Sequence, residues 1–301
     1  MAAVHDVYAY GVIAPSTLLV LADDYPPSGG YAEIAGVHAT FGGEAAGGAY
    51  VLARLGVGTK LDGNWLGDDA ASAHAIDLLS AAGVDCMAIK REENTQAVRE
   101  VVLSTREART VLGTYKKLMA DGAWNAPSED DIRSSRIVCL DPFFGDASLQ
   151  AARWCVDADI PYITVDAPPD SEIAQRAEVL VVSEEFATRE FGPHDPQELL
   201  TNYAGQCHGL VILTRGSEPL LYGRSGEHER EFAPYSVDVL DTTGAGDSFR
   251  AGIIYAMLNG DGDEQLIRTA SAVAALVCEQ FPGVLNSPTE QVLSEFIDQH
   301  A

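Results

Sequence analysis

The sequence predicts an α/β fold: a doubly wound, mostly parallel sheet with helices on both faces, together with a small β lid. Three observations predict this class. After Trp124, short apolar segments alternate regularly with helical patterns. Residues 13–41 and 95–115 break that alternation with strand-like patterns, so we assign them to the lid. A glycine-rich loop near the C-terminal end follows an extended apolar run and leads into a helix.

Composition predicts one soluble globular domain over residues 1–301, with the β lid inserted in it. The chain has 301 residues, of which 47% are hydrophobic and 21% charged, enough to bury a large core. The 5 cysteines are scattered, which indicates free thiols in a reducing compartment. The first residues show no basic segment followed by an apolar stretch, so no secretory signal is expected. The expected location is therefore cytoplasmic.

The chain is strongly acidic. It has 19 Lys and Arg residues against 45 Asp and Glu residues, which gives a formal net charge of −26. A field of that sign repels nucleic acid and anionic membranes, so neither is expected as a partner. Two explanations stay open: adaptation to a salty cytosol, where ions screen the repulsion between carboxylates, and an ordinary acidic protein.

The N-terminal part contains the first strand of the main sheet and the strands of the lid. Val7–Gly11 is an apolar strand. Thr17–Leu21 and Tyr31–Phe41 are predicted as strands around turn residues at 23–30. The segments that follow are predicted as helix, strand, helix, short strand and hairpin: Glu44–Leu55, Thr59–Asn64, Asp69–Ala82, Cys86–Ile89, and Thr95–Ser104 paired with Arg109–Tyr115.

The C-terminal part alternates between helices and strands. The predicted helices are Glu129–Ser134, Ala147–Ala158, Ser171–Ala177, Glu184–Phe191, Gln197–Tyr203 and Asp263–Glu279. The predicted strands are Ile137–Leu140, Tyr162–Val165, Val179–Val182, Leu210–Leu213, the edge pair Pro219–Tyr222 and Glu229–Phe232, and Ser236–Leu240. Ligands of such sheets bind at the carboxyl ends of the strands, where residues 241–247 are expected.

The loop Asp241-Thr242-Thr243-Gly244-Ala245-Gly246-Asp247 is the most informative stretch. A glycine-rich turn at a helix N-terminus presents unpaired N–H groups, and the helix dipole adds positive charge. Such a site binds phosphate. Asp247 is unexpected there because a carboxylate repels phosphate. It either caps the helix or acts as a base on a hydroxyl beside the phosphate.

The whole string from Asp241 to Phe249 resembles the C-terminal signature of the ribokinase-like (phosphofructokinase-B type) carbohydrate and nucleoside kinase family. Phe41–Ala49 is similar to the family's N-terminal Gly-Gly signature, and Thr214–Gly216 to its nucleotide loop. The resemblance implies an ATP-dependent phosphotransferase that phosphorylates a hydroxyl of a sugar, polyol or nucleoside. It also implies Mg²⁺, in many members K⁺, and a lid that can pair two subunits into a homodimer.

The resemblance implies roles for individual residues. Asp247 would be the catalytic base, and the backbone of Gly244, Ala245 and Gly246 the anion hole. The implied nucleotide-binding residues are Ser183, Thr214, Gly216, Thr242, Thr243 and Ser271. The implied acceptor-binding positions are Ser16, Gly42, Gly43 and Gly47. The implied potassium site consists of Asp241, Thr243, Cys278, Gly283 and Ser287.

Ser287 has a competing explanation that does not involve a cation. It opens the string Ser-Pro-Thr-Glu, which has the pattern of a capping box with proline at the first helical position. The sequence slightly favours the cap.

The acceptor end departs from the family pattern. Ser16 stands where the family has an Asp that binds sugar hydroxyls, and Gly47 stands where it has an Asn. Both changes remove polar groups for a hydroxylated acceptor, each worth roughly 1 kcal/mol as a hydrogen bond. The side chains that could substitute are Glu33, His38, Glu44 and Asn64.

Two further positions are unusual. In the family, one segment with a typical Asn and Glu organises magnesium. This chain has Ser183 and Phe186 at those two positions, and Glu185 could partly replace the Glu. Arg250 follows the proposed base by three residues. It either contacts a phosphate or carboxylate or, as the sequence favours, points from the helix to the surface.

These departures motivate an alternative function: a nucleotide- or metabolite-binding protein of the same fold that has lost catalysis. The intact Asp247 and glycine-rich loop argue against it, since a protein that only binds has no need of the base. Consumption of ATP across a panel of sugars and nucleosides distinguishes the two hypotheses.

Overall fold

Fourteen strands form three sheets in the computed structural model, which describes residues 5–93, 97–105 and 109–300. The strands of the main sheet are β1 (Val7–Gly11), β4 (Thr59–Gly63), β9 (Ile137–Leu140), β10 (Tyr162–Val165), β11 (Val179–Ser183), β12 (Leu210–Arg215), β13 (Glu218–Gly223) and β14 (Arg230–Phe232). The strands of the small sheet are β2 (Ala14–Leu21), β3 (Ile34–Gly42), β7 (Glu100–Ser104) and β8 (Arg109–Gly113). The third sheet pairs β5 (Leu66–Gly67) with β6 (Arg91–Glu92).

The main sheet has the strand order β14-β13-β12-β11-β10-β9-β1-β4. All pairs from β4 through β12 are parallel, and only β12–β13 and β13–β14 are antiparallel. This arrangement confirms the predicted mostly parallel sheet with an antiparallel edge.

The helices cover both faces of the main sheet. They are α1 (Glu44–Arg54), α2 (Ala70–Ala81), α3 (Tyr115–Asp121), α4 (Glu129–Ser134), α5 (Asp146–Ala158), α6 (Glu172–Arg176), α7 (Glu184–Phe191), α8 (Pro196–Gln206), α9 (Ala245–Asn259), α10 (Asp263–Cys278) and α11 (Glu290–Gln299). Successive residues of β1 alternate between two cores: Val7 and Ala9 belong to one, Tyr8 and Tyr10 to the other. Both faces of the strand are therefore buried, as a doubly wound sheet requires.

The small sheet has the order β3-β2-β7-β8, with β2 and β7 parallel and the outer pairs antiparallel. Its strands come from the two segments whose strand-like patterns break the βα rhythm. Of the expected hairpin, residues 95–96 and 106–108 lie outside the described residues.

Two predicted strands of the small sheet begin later than expected: Tyr31–Phe41 starts at Ile34, and Thr95–Ser104 starts at Glu100. Three further predicted strands differ from the structure. Ser236–Leu240 forms none, because Leu240 and Asp241 donate their N–H groups to the Cys278 carbonyl instead of to a strand. Residues 86–89 form a turn instead of a strand, with the Met87 N–H bound to the Asp85 side chain at 3.0 Å. The last predicted strand of the lid stops at Gly113, and helix α3 begins at Tyr115.

Among residues 5–93, 97–105 and 109–300, no helix combines the length and the hydropathy of a membrane span.

Candidate active site

Helix α9 begins in the loop that the sequence singles out. Gly244 caps the helix with φ 76°, and a Cβ there would overlap the Val284 side chain, so glycine is required on both counts. Apart from its chain neighbours and the backbone of its own helix, no described atom would lie within 4 Å of a Cβ at Gly246, so this side of the first turn is open. The N–H groups of the first turn of a helix lack intrahelical partners. Here the Ala245 N–H donates to the Thr242 carbonyl at 3.2 Å, and the start of α9 is a candidate anion site.

Asp247 lies in the first turn of α9 beside Gly47 of helix α1. A Cβ at Gly47 would be 2.8 Å from Asp247 Oδ2, so the glycine leaves room for this carboxylate. Burial raises the pKa of Asp247 to about 7; Asp141 and Glu100 add to the rise, while Arg250 and Arg109 oppose it. Asp247 thus becomes a carboxyl that changes charge near neutral pH.

Arg250 is completely buried, so the sequence-based preference for a surface position is wrong. Its Nη1 donates to Asp141 Oδ1 at 2.7 Å, and both side chains are at most 1% exposed. Asp141 Oδ2 accepts the N–H groups of Val12 at 2.8 Å and Ala45 at 3.1 Å. The pair therefore ties α9 to the end of β1 and to the start of α1.

Asp141 was missed by the sequence reasoning. It is the first residue after β9, at the carboxyl end of a central parallel strand. An acidic residue at that place is a candidate by position alone, and this signal was available in the sequence.

The predicted acceptor positions lie where the end of β3, the start of α1 and strand β2 meet. Gly43 has φ 95°, and a Cβ there would overlap the Val12 carbonyl. Ser16 in β2 pairs in register with Glu100 in β7, and both are buried. The Glu100 carboxylate occupies the space that a Cβ at Gly42 would fill. Glu100 is a second site residue that the sequence reasoning missed.

Of the four side chains expected to replace the lost polar groups, only Glu44 is placed beside Asp247. Burial, with the charges of Asp141 and Asp247, raises the pKa of Glu44 to about 8. Asn64 is used by the fold, because its amide exchanges two hydrogen bonds with the backbone of Ile13. Glu33 accepts the hydroxyl of Tyr31 in an exposed pair, and the His38 ring packs edge-on against Phe281.

The predicted nucleotide residues Ser183 and Thr214 pair in register at the ends of β11 and β12. Ser183 Oγ accepts the Phe186 N–H at 3.1 Å and caps α7. It also donates to Asp166 Oδ2 at 3.0 Å. The hydroxyl is thus engaged in the loop structure, and Asp166 orients it.

The other predicted nucleotide residues lie around the same end of the sheet and on α10. Gly216 takes φ 61° after β12, in the turn before β13. Ser271 of α10 is buried, and its Oγ has no hydrogen-bond partner among the described residues. Their common role in binding a nucleotide stays a prediction.

Two of the predicted potassium residues, Thr243 and Gly283, contact the Asp241 carboxylate. Asp241 Oδ1 accepts the Thr243 N–H at 2.9 Å, and Oδ2 accepts the Gly283 N–H at 3.0 Å. The Cys278 carbonyl already accepts two N–H groups, at 2.8 and 3.2 Å, so both its lone pairs are used. Within the part of the chain that the structure describes, the buried hydroxyls of Thr243 and Ser287 have no hydrogen-bond partner.

The helix cap predicted at Ser287 is wrong. Helix α11 begins at Glu290, and its N-cap is Thr289, whose side chain accepts the Val292 N–H. Pro288 precedes the cap and does not occupy the first helical position. Ser287 is thus free of the competing role that the sequence favoured.

Arg109 connects the small sheet to the glycine-rich loop, and the sequence reasoning did not identify it. Its guanidinium donates from the start of β8 to the Thr242 carbonyl. The backbone that leads into α9 is therefore contacted by a strand more than 100 residues earlier in the chain.

Comparisons with known proteins agree on one family. The family model described as pfkB family carbohydrate kinase matches residues 19–290. The chain is 28% identical to a ribokinase of Arabidopsis thaliana over 79% of its own length and 64% of that protein, and so spans less than two thirds of it. It is 28% identical to an ATP-dependent ribose-1-phosphate kinase of Halopiger xanaduensis over 92% of this chain and 93% of that one. The structure of Arabidopsis thaliana ribokinase complexed with ribose and ATP matches its fold with a TM-score of 0.80, at 22% identity and 99% coverage of both chains.

Proposed function

Because the chain belongs to the pfkB family of carbohydrate kinases, we propose that it transfers the γ-phosphoryl group of ATP to a hydroxyl of a sugar, polyol or nucleoside, with Asp247 as the base. The class of a carbohydrate or nucleoside kinase, predicted from the sequence, is confirmed by the family. The observation that carries the residue assignment is a carboxyl with a pKa of about 7 in the first turn of an open helix N-terminus.

The raised pKa of Asp247 suits a general base. A carboxylate of ordinary pKa is a weak proton acceptor, and efficiency increases as the pKa approaches the working pH. Asp247 would take the proton of the acceptor hydroxyl as its oxygen attacks the γ-phosphorus. Gly47 and the start of α1 lie against Asp247, and we place the acceptor hydroxyl on this side.

The start of α9 would stabilise the transferred group. Phosphoryl transfer needs positioning and neutralisation of charge more than covalent chemistry. The backbone N–H groups of Gly244, Ala245 and Gly246 would form the anion hole, where one preorganised donor can be worth about 3 kcal/mol. Arg109 supports this loop through the Thr242 carbonyl.

ATP is the donor we propose, because the Halopiger relative is described as ATP-dependent and the Arabidopsis ribokinase structure contains ATP. We propose that the nucleotide lies along the ends of β11 and β12 and reaches α9. The contributing residues would be Ser183, Thr214, Gly216, Thr242, Thr243 and Ser271.

Magnesium would neutralise the phosphates of the nucleotide. Over the described ranges, no group of three His, Cys, Asp or Glu side chains could hold a metal ion by itself. The ion would therefore be held mainly by the phosphates and water. The half-buried Asp166 accepts hydrogen bonds from the backbone and the hydroxyl of Ser183, and through Ser183 it orients the start of α7.

A base substitution tests the proposal. Asp247→Asn keeps the shape of the side chain but cannot take a proton, so we expect kcat to fall by about a thousandfold or more. The Kd for ATP should stay within about threefold, since the anion hole is backbone. The assay measures ATP consumption with magnesium on D-ribose, D-fructose, D-glucose, myo-inositol and adenosine.

The matched control is Asp298→Asn, the same change on the exposed side of α11. It should match the wild type. Near-normal turnover by Asp247→Asn would rule out the mechanism. ATP binding by the wild type without ATP consumption on any panel member would favour the decayed binding protein.

A further inference from the structure

We propose that Glu100, held in place by Tyr115, binds a hydroxyl of the acceptor next to the one that is phosphorylated, and so determines which acceptor is used. The inference rests on the proposed kinase function. It answers the question raised by Ser16 and Gly47, which lack the polar groups expected for a hydroxylated acceptor.

The sheet register places Glu100 beside the acceptor positions. Thr40, Ser16, Glu100 and Gly113 are paired in one row across β3, β2, β7 and β8. Side chains of directly paired residues stand on the same face of a sheet. Glu100 and Ser16 therefore point to the same side, and a carboxylate missing from β2 is supplied by the neighbouring strand.

Two glycines make room for this carboxylate and its partner. The Glu100 carboxylate occupies the space over Gly42, where any Cβ would overlap Oε2. The Tyr115 ring lies over Gly113, where a Cβ would be 2.5 Å from Cε2. Tyr115 donates its hydroxyl to Glu100 Oε1. The orientation of Glu100 is thus specified by three other positions.

Ser16 is a second polar group in the same row. It is 6% exposed and is paired in register with Glu100. Burial raises the pKa of Glu100, and hydrogen bonds from Tyr115 and Ser16 oppose that rise. An acceptor with adjacent hydroxyl groups could bind Glu100 and Ser16 at once.

The position of Glu100 relative to Asp247, the proposed base, fits a residue that binds the acceptor. After burial and Asp141, Glu100 is among the acids that raise the pKa of Asp247, so the two carboxyls lie within electrostatic reach. Asp247 is also among the charges that raise the pKa of Glu44, so a third carboxyl lies near this space. Carboxyl groups exchange hydrogen bonds with hydroxyl groups, so an acceptor that presents hydroxyl groups there fits this set of side chains.

The test compares Glu100→Gln with Glu231→Gln, the same change on the exposed strand β14. Acceptor and ATP KM values are measured for D-ribose, D-fructose, D-glucose, myo-inositol and adenosine, and for single-deoxy analogues of each compound that is used. We expect Glu100→Gln to raise the acceptor KM about tenfold, because a charged acceptor of a hydrogen bond is lost. The ATP KM should change less than about twofold, and Glu231→Gln should match the wild type.

One deoxy analogue identifies the contact. The analogue that lacks the hydroxyl bound by Glu100 should have a KM about tenfold higher than the parent compound with the wild type. With Glu100→Gln the two compounds should have equal KM values, as a double-mutant cycle requires for a direct contact. Tyr115→Phe keeps the Glu100 carboxylate but removes the hydrogen bond that orients it. This variant should raise the acceptor KM less than Glu100→Gln does. This second variant tests the inference if Glu100→Gln unfolds at lower temperature than the wild type.

The possible failures are distinguishable. Unchanged acceptor KM in both variants, or equal effects on the acceptor and ATP, would overturn the role of Glu100 and leave the kinase function intact. Phosphorylation of no panel member by the wild type would overturn the proposed function and this inference with it.

Discussion

Arg250 and Asp141 show how single residues prepare the site without touching the reacting atoms. Their contact at 2.7 Å is completely buried, and Arg250 Nε and Nη2 have no hydrogen-bond partner among the residues that the structure describes. Removing one member of such a pair leaves a buried charge and typically costs about 3–5 kcal/mol. We infer that the pair positions the end of β1 and the start of α1 and, through its positive member, limits the pKa rise of Asp247.

Activity should depend on pH through Asp247. A base must be deprotonated to act, so kcat/KM should rise with pH through about 7 and level off above it. Asp141 and Glu100 face Asp247 as acids, and Arg250 and Arg109 as cations. Arg109→Met removes one cation, which disfavours the charged carboxylate. The midpoint should therefore move to higher pH, by about half a unit or more.

A pH–rate profile at constant ionic strength measures this shift. Arg153→Met is the control, because Arg153 pairs with Glu172 on the surface. A shift to lower pH in Arg109→Met, or an equal shift in the control, would contradict the electrostatic assignment.

At the scale of elements, a candidate cation site lies where the glycine-rich loop packs against the segment that precedes α11. The Asp241 carboxylate contacts Thr243 and Gly283 there. Thr243 and Ser287 have buried hydroxyls without partners among the described residues. Potassium prefers several oxygen ligands, and this segment supplies carboxylate, hydroxyl and carbonyl oxygens. We propose that a bound K⁺ would stiffen the anion hole from behind, with Cys278 excluded from the ligand set.

K⁺ should raise both activity and stability relative to Na⁺ at equal ionic strength. We expect a measurable increase in the midpoint of thermal unfolding with K⁺, since a ligand that binds only the native state stabilises it. Ser287→Ala should reduce this difference, whereas Ser294→Ala on the exposed side of α11 should preserve it. Equal behaviour in KCl and NaCl by the wild type would count against the site.

At the scale of the whole molecule, the outer face of the small sheet is largely apolar and partly exposed. Leu19, Val37, Val101, Leu103 and Leu112 lie on this face by register. Val37 is 63% and Leu112 51% exposed. A contiguous apolar patch of this kind commonly marks a protein–protein interface. We propose that two copies of the chain pair through it.

Val37→Lys should convert a dimer into a monomer of 32.0 kDa, because a charge would be buried at the centre of the interface. Light scattering after size-exclusion chromatography measures the mass. Met87→Lys is the control, since Met87 is 92% exposed but lies outside the small sheet. A wild type that is monomeric at micromolar concentration would refute the dimer.

The net charge of −26 should make stability depend on salt. Screening reduces the repulsion among carboxylates, so the unfolding midpoint should rise from about 0.1 to about 3 M KCl if the chain is adapted to salt. The same series in a buffer of constant pH separates screening from titration. No gain with salt would favour the ordinary acidic protein.

The sequence by itself determined the α/β class and most strand positions, which depend on local signals such as apolar runs and a contiguous glycine-rich loop. Its resemblance to the ribokinase-like family indicated the kinase class. It did not determine the partners of Arg250 or the role of Glu100. Arg250 and Asp141 are 109 residues apart, and Glu100 meets Ser16 only through strand register. Tertiary structure alone decided these contacts, because side chains far apart in the chain become neighbours only when the strands and helices pack.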